Sequence, residues 1–286
     1  MALLEAALST MPPWFDEIPA MVQNMQLTEA QIQQFDDDGY VLFPQLFDEQ
    51  ETTLLRTEAD RVSAIDSDHV FREGKGGLPK AMFALHDADS PTASAPFRAA
   101  AHCPRVLNAA KQLLRDDALY LHHLKVNMKA SIEGTAWPWH QDFGSWHLDG
   151  IARPELMTVM VMLDDATEMN GCLYMLPGSH RDGRTNPYWD DSTAYKLWAV
   201  QPEDVRDYML RCRAPQPITG PAGSVAMFSC NLLHASGHNL SANHRMQAYF
   251  CFNRVSNRPA DIVNPRASYV RSTDWRPMTT GTDHLQ

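Results

Sequence analysis

The chain has 286 residues, 44% of them hydrophobic and 21% charged, with a formal net charge of −11. That length can bury a sizeable core in one large or two small domains, and the composition is ordinary for a soluble globular protein. The acidic balance argues against nucleic acid or an anionic membrane as partner, and no stretch reaches the length of a transmembrane helix.

Five scattered cysteines (Cys103, Cys172, Cys212, Cys230, Cys251) form no C-x-x-C pair. They read as reduced thiols in a cytoplasmic protein. The N-terminal apolar run lacks a basic segment and is broken by Glu5, so it does not read as a signal peptide.

Residues 1–26 contain Pro12, Pro13 and Pro19 and predict a short helix followed by an arm. Thr28 with Gln31 makes a capping box before a helix that stops at Gly39. Residues 40–43 then read as a short strand. Asp48 with Glu51 repeats the capping signature, and Leu54, Leu55, Glu58 and Val62 carry a second helix forward. From 63 to 95 the chain is polar and glycine-containing (Gly74, Gly76, Gly77), which predicts loop with one short apolar segment at Met82-Phe83. Pro104 suits the first turn of a third helix ending near Leu114.

Beyond this point the hydrophobic period changes from helical to alternating. Strands are expected at 119–129, 156–163, 172–176, 223–229 and 246–253, with turn pairs such as Asn170-Gly171 and Pro177-Gly178 between them. Helices first and strands afterwards predict a mainly β protein, a barrel or sandwich with helices packed outside. The expected organisation is a single domain, 1–286, with helices over about 1–115 and a β core over about 119–255. Residues 182–220, rich in Trp, Tyr, Pro and charge, lie between two strands and read as a lid-like insertion.

The chemistry points to residues 137–150, which hold two His-x-Asp pairs, His140/Asp142 and His147/Asp149, among three tryptophans and a phenylalanine. An imidazole and a carboxylate two residues apart can share one divalent metal when both project from the same side of a strand. A third ligand, a His from elsewhere, would complete the facial triad of a non-haem iron oxygenase. In a chain with twelve His, the pair alone is weak evidence. His234 follows the 223–229 strand, and Arg245 opens the next one. A guanidinium there could grip a carboxylate with two parallel hydrogen bonds. On 119–129, alternation puts Lys125, Asn127 and Lys129 on one face, where a cation pointing into a barrel needs an anion.

His140-Gln-Asp142 and His234-x-Ser236-Gly-x-Asn239-x-Ser241-x-x-x-Arg245 resemble the phytanoyl-CoA dioxygenase family of iron(II)/2-oxoglutarate oxygenases. So do Leu163-Asp164-Asp165, Asn170-Gly171-Cys172-Leu173 and Pro177-Gly178-Ser179-His180, all in the family's order, and the opening Asp38-Gly39-Tyr40-Val41. The run from Trp139 to His147 is similar to the ectoine-hydroxylase-like branch.

The resemblance implies a double-stranded β-helix (a cupin-like jelly roll) with Fe(II) held by His140, Asp142 and His234. It implies 2-oxoglutarate bound by Arg245 with Ser236, and by Lys125 beside Asn127, with O2 as the third reactant. Trp146, and with it Phe143 and His147, would shape the substrate pocket. Ectoine hydroxylases usually read x-Glu-Asp-Gly after Trp-His, whereas this chain has Leu148-Asp149-Gly150, which points away from ectoine itself. Halogenating relatives place Gly or Ala at the carboxylate position, so Asp142 points to hydroxylation.

The expected enzyme hydroxylates an unactivated C–H bond in a free amino acid or similar small zwitterion, as a monomer or homodimer. Its alternatives are an oxygenase of a larger hydrophobic natural product, a zinc hydrolase, and a non-catalytic binding protein on the same barrel.

Overall fold

The computed structural model describes residues 26–73, 77–211 and 213–285. The helix and arm expected before residue 26, together with Gly74, Gly76 and Cys212, lie outside them.

Six helices and thirteen strands follow one another along the described chain. Helix α1 (Glu29–Asp38) starts at the expected box, in which the Thr28 hydroxyl accepts from the Gln31 amide and the Gln31 side chain accepts from the Thr28 amide. It stops at Gly39, whose φ of 83° is left-handed. A Cβ there would lie 2.5 Å from the His180 ring, so this cap tolerates only glycine. Strand β1 (Tyr40–Phe43) leads to α2 (Glu49–Ser63), capped reciprocally by Asp48 and Glu51.

Glu51 has a second task. Its carboxylate, fully buried, pairs with Arg105 and also accepts from the Leu285 amide at 3.1 Å, tying the C-terminal tail to the helices. Removing one partner of a buried ion pair strands the other, at a cost of about 3–5 kcal/mol. Arg105→Met is therefore expected to lower the urea midpoint markedly, and an unchanged midpoint would refute the latch.

Residues 63–95 are not one loop. They contain β2 (Val70–Arg72) and β3 (Pro79–Phe83), the latter buried throughout. A strand this short has no period of its own, and only pairing with a distant neighbour makes it one. Helix α3 (Ala95–His102) was also not expected. It abuts α4 (Pro104–Leu114), which opens on the expected proline.

The β region comprises β4 (Leu119–Lys129), β5 (Trp137–His140), β6 (Leu156–Met162), β7 (Leu173–Met175), β8 (Pro187–Asp190), β9 (Leu197–Val200), β10 (Gln216–Ile218), β11 (Val225–Ser229), β12 (His234–Ser236) and β13 (Arg245–Arg254). Helix α5 (Asp142–Leu148) follows β5, and α6 (Pro202–Arg211) follows β9. The 182–220 segment is thus a hairpin, β8 with β9, then a helix, and its last residues are β10, which belongs to the β core and not to an insertion.

Seven strands form one sheet in the order β1-β11-β6-β13-β4-β3-β2, and four form the other, β10-β7-β12-β5. Alternation sorts each long strand of the large sheet between two cores. Leu124, Val126, Val159, Val161, Phe250 and Phe252 face out and pack against Leu55, Val62, Phe97 and Leu107 of the helices. Met160, Met162, Phe228 and Tyr249 face in and meet Leu173, Met175 and Ile218 of the small sheet. The two sheets therefore face each other as a jelly roll. No helix among the described residues is long and apolar enough to cross a membrane.

Candidate metal centre and adjoining anion pocket

The same alternation that sends Phe250 and Leu124 outward sends polar residues inward. The register of β13 with β4 sets Arg245 opposite Lys129, Gln247 opposite Asn127, Tyr249 opposite Lys125 and Cys251 opposite His123. All eight are buried. Inside the jelly roll, Lys125, Asn127, Arg245, Tyr249 and Cys251 face a small cavity whose other wall is Trp137, His140, Leu173, His234 and Ser236, with Asp142 at one end.

Strand pairing brings the two imidazoles together: His140, last in β5, lies opposite His234, first in β12. Their ring centroids are 4.1 Å apart. Each ring is oriented from behind, with His140 Nδ1 2.8 Å from Pro138 O and His234 Nδ1 2.9 Å from Leu232 O. A carbonyl only accepts, so Nδ1 carries the hydrogen in both, and both Nε2 lone pairs are free for a metal.

Asp142 is not on the strand with His140. The chain turns at Gln141, whose amide group bonds to Asn231 O at 2.7 Å and Gly183 O at 2.8 Å, and Asp142 opens α5. Its Oδ1 lies 3.9 Å from His140 Nε2 and 4.0 Å from His234 Nε2. Two neutral nitrogens and one carboxylate oxygen on one side of a cavity suit a divalent iron-type ion, with the remaining positions open to the cavity.

Burial pushes the His140 imidazole down to about 3 and also lowers that of His234, which keeps both in the metal-binding neutral form. Burial alone would raise Asp142, but the fields of His234, Lys125 and His140 and the Thr158 hydroxyl outweigh it and hold the carboxyl below its ordinary value.

Other histidines are also held neutral by burial: His86 near 4, His122 near 3, and His123 well below its ordinary value. Unfolded imidazoles protonate near pH 6.5, whereas these folded ones refuse the proton until far lower. The stability they contribute is present above about pH 6.5 and is lost as pH falls toward 3. Metal-free protein melted at pH 7.5, 6.5 and 5.5 should lose stability with each step, and a flat profile would contradict this burial.

The far end of the cavity is cationic. Arg245 is 1% exposed and donates to two neutral oxygens, Gln247 Oε1 at 2.5 Å and Gly171 O. Its Nε has no partner among the described residues, nor do Ser236 Oγ or Asn127 Oδ1. Burial, then the nearby Arg245, push the Lys129 amine down to about 6, so the charge at this end belongs to Arg245. A desolvated guanidinium bonded only to neutral groups, beside a free hydroxyl, is a built receptor for a carboxylate. Lys125 Nζ is 5.3 Å from the ring centroids of both Trp137 and Tyr249. The donors present therefore fit both iron(II) and a dicarboxylate such as 2-oxoglutarate.

Seven of the residues singled out from sequence, His140, Asp142, His234, Lys125, Asn127, Ser236 and Arg245, meet around this cavity. The three assigned to substrate do not line it. Trp146 is buried with its ring 5.3 Å from His122 and 5.5 Å from His123. Phe143 packs with Trp146, Ile151 and Leu156, and His147 is exposed, its Nδ1 3.0 Å from Ile151 O. Asp149, its partner in the second His-x-Asp pair, is buried against Arg266, and Arg271 donates to its backbone oxygen at 2.9 Å. The pair is thus split.

Among the described residues, one other group could hold a metal, Asp48 with Glu51 and His284. There Glu51 is already taken by Arg105.

Tyr249 and Cys251 escaped the sequence reading, although their spacing of four and six from Arg245 put them on its face. Nothing in the sequence pointed to Arg266 or Arg271, which lie in a tail without periodicity.

Residues 35–247 match the phytanoyl-CoA dioxygenase (PhyH) family. The L-proline trans-4-hydroxylase of Streptomyces griseoviridis is 32% identical over 252 residues, covering 84% of this chain and 91% of that protein. The ectoine dioxygenase of Sphingopyxis alaskensis is 31% identical over 258 residues, covering 85% and 82%. The crystal structure of EctD from S. alaskensis with 2-oxoglutarate and 5-hydroxyectoine superposes with a TM-score of 0.78 at 27% identity, covering 94% of each chain. EctD from S. alaskensis with bound Fe superposes equally well, at 26% identity.

Proposed function

The chain belongs to the phytanoyl-CoA dioxygenase family, and from that membership we propose that it is an iron(II)- and 2-oxoglutarate-dependent hydroxylase of a free amino acid or related small zwitterion. The observation that carries the reading is the cavity itself, in which two buried histidines and the half-buried Asp142 face a buried guanidinium that lacks an anion. In this reading His140, Asp142 and His234 hold the iron. Arg245 and Ser236 bind the distal carboxylate of 2-oxoglutarate, and Lys125 with Asn127 sit toward its other end. When bound, iron and 2-oxoglutarate supply the activation of O2 that inserts one oxygen atom into a C–H bond and releases succinate and CO2.

The protein's own work is positioning and exclusion of water. The Pro138 and Leu232 carbonyls fix the two imidazoles. Trp137 and Tyr249 wall the cavity, and Tyr195, in the β8–β9 connection, stands 5.3 Å from the Trp137 ring and packs on Phe83. That contact supports a lid role for the insertion. Trp146 and Phe143, buried together in one cluster, would support the substrate pocket from behind, and exposed His147 would not.

Relatives named for L-proline and ectoine support a small zwitterionic substrate, and the small cavity favours it over a larger hydrophobic product. Four buried free thiols, Cys103, Cys172, Cys230 and Cys251, suit a reducing cytoplasm. We read the enzyme as a monomer or homodimer.

The test is anaerobic loading with iron(II), then addition of 2-oxoglutarate, O2 and a panel of amino acids. The expected result is succinate with a product one oxygen heavier by mass spectrometry. Iron binding without succinate for any substrate would leave the non-catalytic barrel as the better reading.

A further inference from the structure

The two oxygens of Asp142 have different surroundings. Oδ1 faces the two imidazoles at 3.9 and 4.0 Å, while Oδ2 lies 3.1 Å from the hydroxyl of Thr158 on β6. A carboxylate only accepts, so Thr158 must donate this hydrogen.

That hydrogen has two acceptors in reach, the carboxylate oxygen and the Cys251 sulfur behind it, and a carboxylate is much the stronger. Cys251 is opposite Thr158 in the β13–β6 register and opposite His123 in the β13–β4 register. The three side chains therefore form one row across three neighbouring strands. Cys251 Sγ is 3.3 Å from Thr158 Oγ1 and 3.1 Å from His123 Nε2. His123 Nδ1 lies 3.3 Å from Val270 O, a pure acceptor, so Nδ1 carries the imidazole hydrogen and Nε2 accepts from the thiol. With the thiol hydrogen directed to His123, the sulfur offers Thr158 only a weak acceptor, and the hydroxyl points at the charged Asp142 oxygen. All three residues are buried, at 0% to 4% exposure, so water does not compete for the bond.

We propose that Thr158 is a positioning residue that ties up Asp142 Oδ2, so that the carboxylate offers the metal a single oxygen. This rests on the metal-centre reading above. Carboxylates bind metals through one oxygen or two. A facial His-Asp-His set that uses one oxygen leaves three positions, two for a chelating cosubstrate and one for O2. A carboxylate free to use both oxygens would take one of those three. The Thr158 bond would thus keep a position open.

Thr158→Val keeps the shape and removes the hydroxyl. Metal-free protein is titrated without O2, first with Co(II) as a spectroscopic stand-in and then with 2-oxoglutarate. We expect Thr158→Val to bind Co(II) about as tightly as the wild type, with altered visible bands, and to bind 2-oxoglutarate about tenfold more weakly, the lower end of supporting-shell effects. Thr158→Ser should restore both. Wild-type bands together with a wild-type 2-oxoglutarate constant would overturn the proposal. So would a loss of Co(II) affinity with an unchanged 2-oxoglutarate constant, because the hydroxyl would then only hold the carboxylate in place. Thr158→Ala serves as the same test if the valine variant does not fold. Failure of the wild type itself to bind Co(II) would instead sink the metal-centre reading.

Discussion

Asp142→Ala is expected to abolish iron binding at micromolar metal and to cut succinate formation by at least about 10³-fold, roughly 4 kcal/mol of transition-state stabilisation. Asp142 supplies the only negative charge of the three proposed ligands. Without it, two neutral imidazoles compete poorly with water for a divalent ion. The discriminating control is the second His-x-Asp pair. His147 is exposed and Asp149 is engaged by Arg266, so His147→Ala should keep normal iron affinity. Asp149→Ala should lower the melting temperature while leaving metal affinity intact, because it strips the buried partner from Arg266. A metal constant that responds to His147 and ignores Asp142 would move the site.

Arg245→Met is expected to weaken 2-oxoglutarate binding by at least about 30-fold, the low end of the roughly 2–5 kcal/mol lost when one side of a buried charge pair is truncated. Arg245→Lys should rescue little, since an ammonium cannot reproduce the two parallel donors of a guanidinium. The sign of the stability change separates this role from a structural one. Without cosubstrate, Arg245 is a desolvated charge bonded to neutral oxygens. Replacing it with an apolar chain of similar volume should leave the metal-free melting temperature equal or higher. A ligand that binds only the folded state stabilises it by mass action. Accordingly, 2-oxoglutarate with metal should raise the melting temperature of the wild type and not of Arg245→Met. Normal cosubstrate affinity in that variant, or a large drop in its metal-free stability, would refute the assignment.

Most of the site's composition was legible in the chain. His140 and Asp142 are two residues apart, so their nearness needed no folding to see. Lys125 and Asn127 share a face because strand side chains alternate, and the same rule extended from Arg245 would have found Tyr249 and Cys251. The capping boxes at Thr28 and Asp48 were equally plain, since each is a contact three residues long.

What the tertiary structure alone decided involves segments that meet across distance. Residues 79–83 are a strand because β2 and β4 lie on either side of them. Asp142 reaches the imidazoles from a helix start and not along a strand, because Gln141 is pinned by Asn231 and Gly183. Simple alternation would send His122 and His123 to opposite faces. The irregular register between Cys251 and Phe252 skips His122 and lets both rings meet Trp146. The neutrality of the buried imidazoles, the isolation of Arg245 and the Thr158 bond to Asp142 also lie on this side. Local pattern encodes which way a side chain faces and how an element begins and ends. Which groups it meets, and how dry the meeting place is, depends on pairings between distant strands that no local period records.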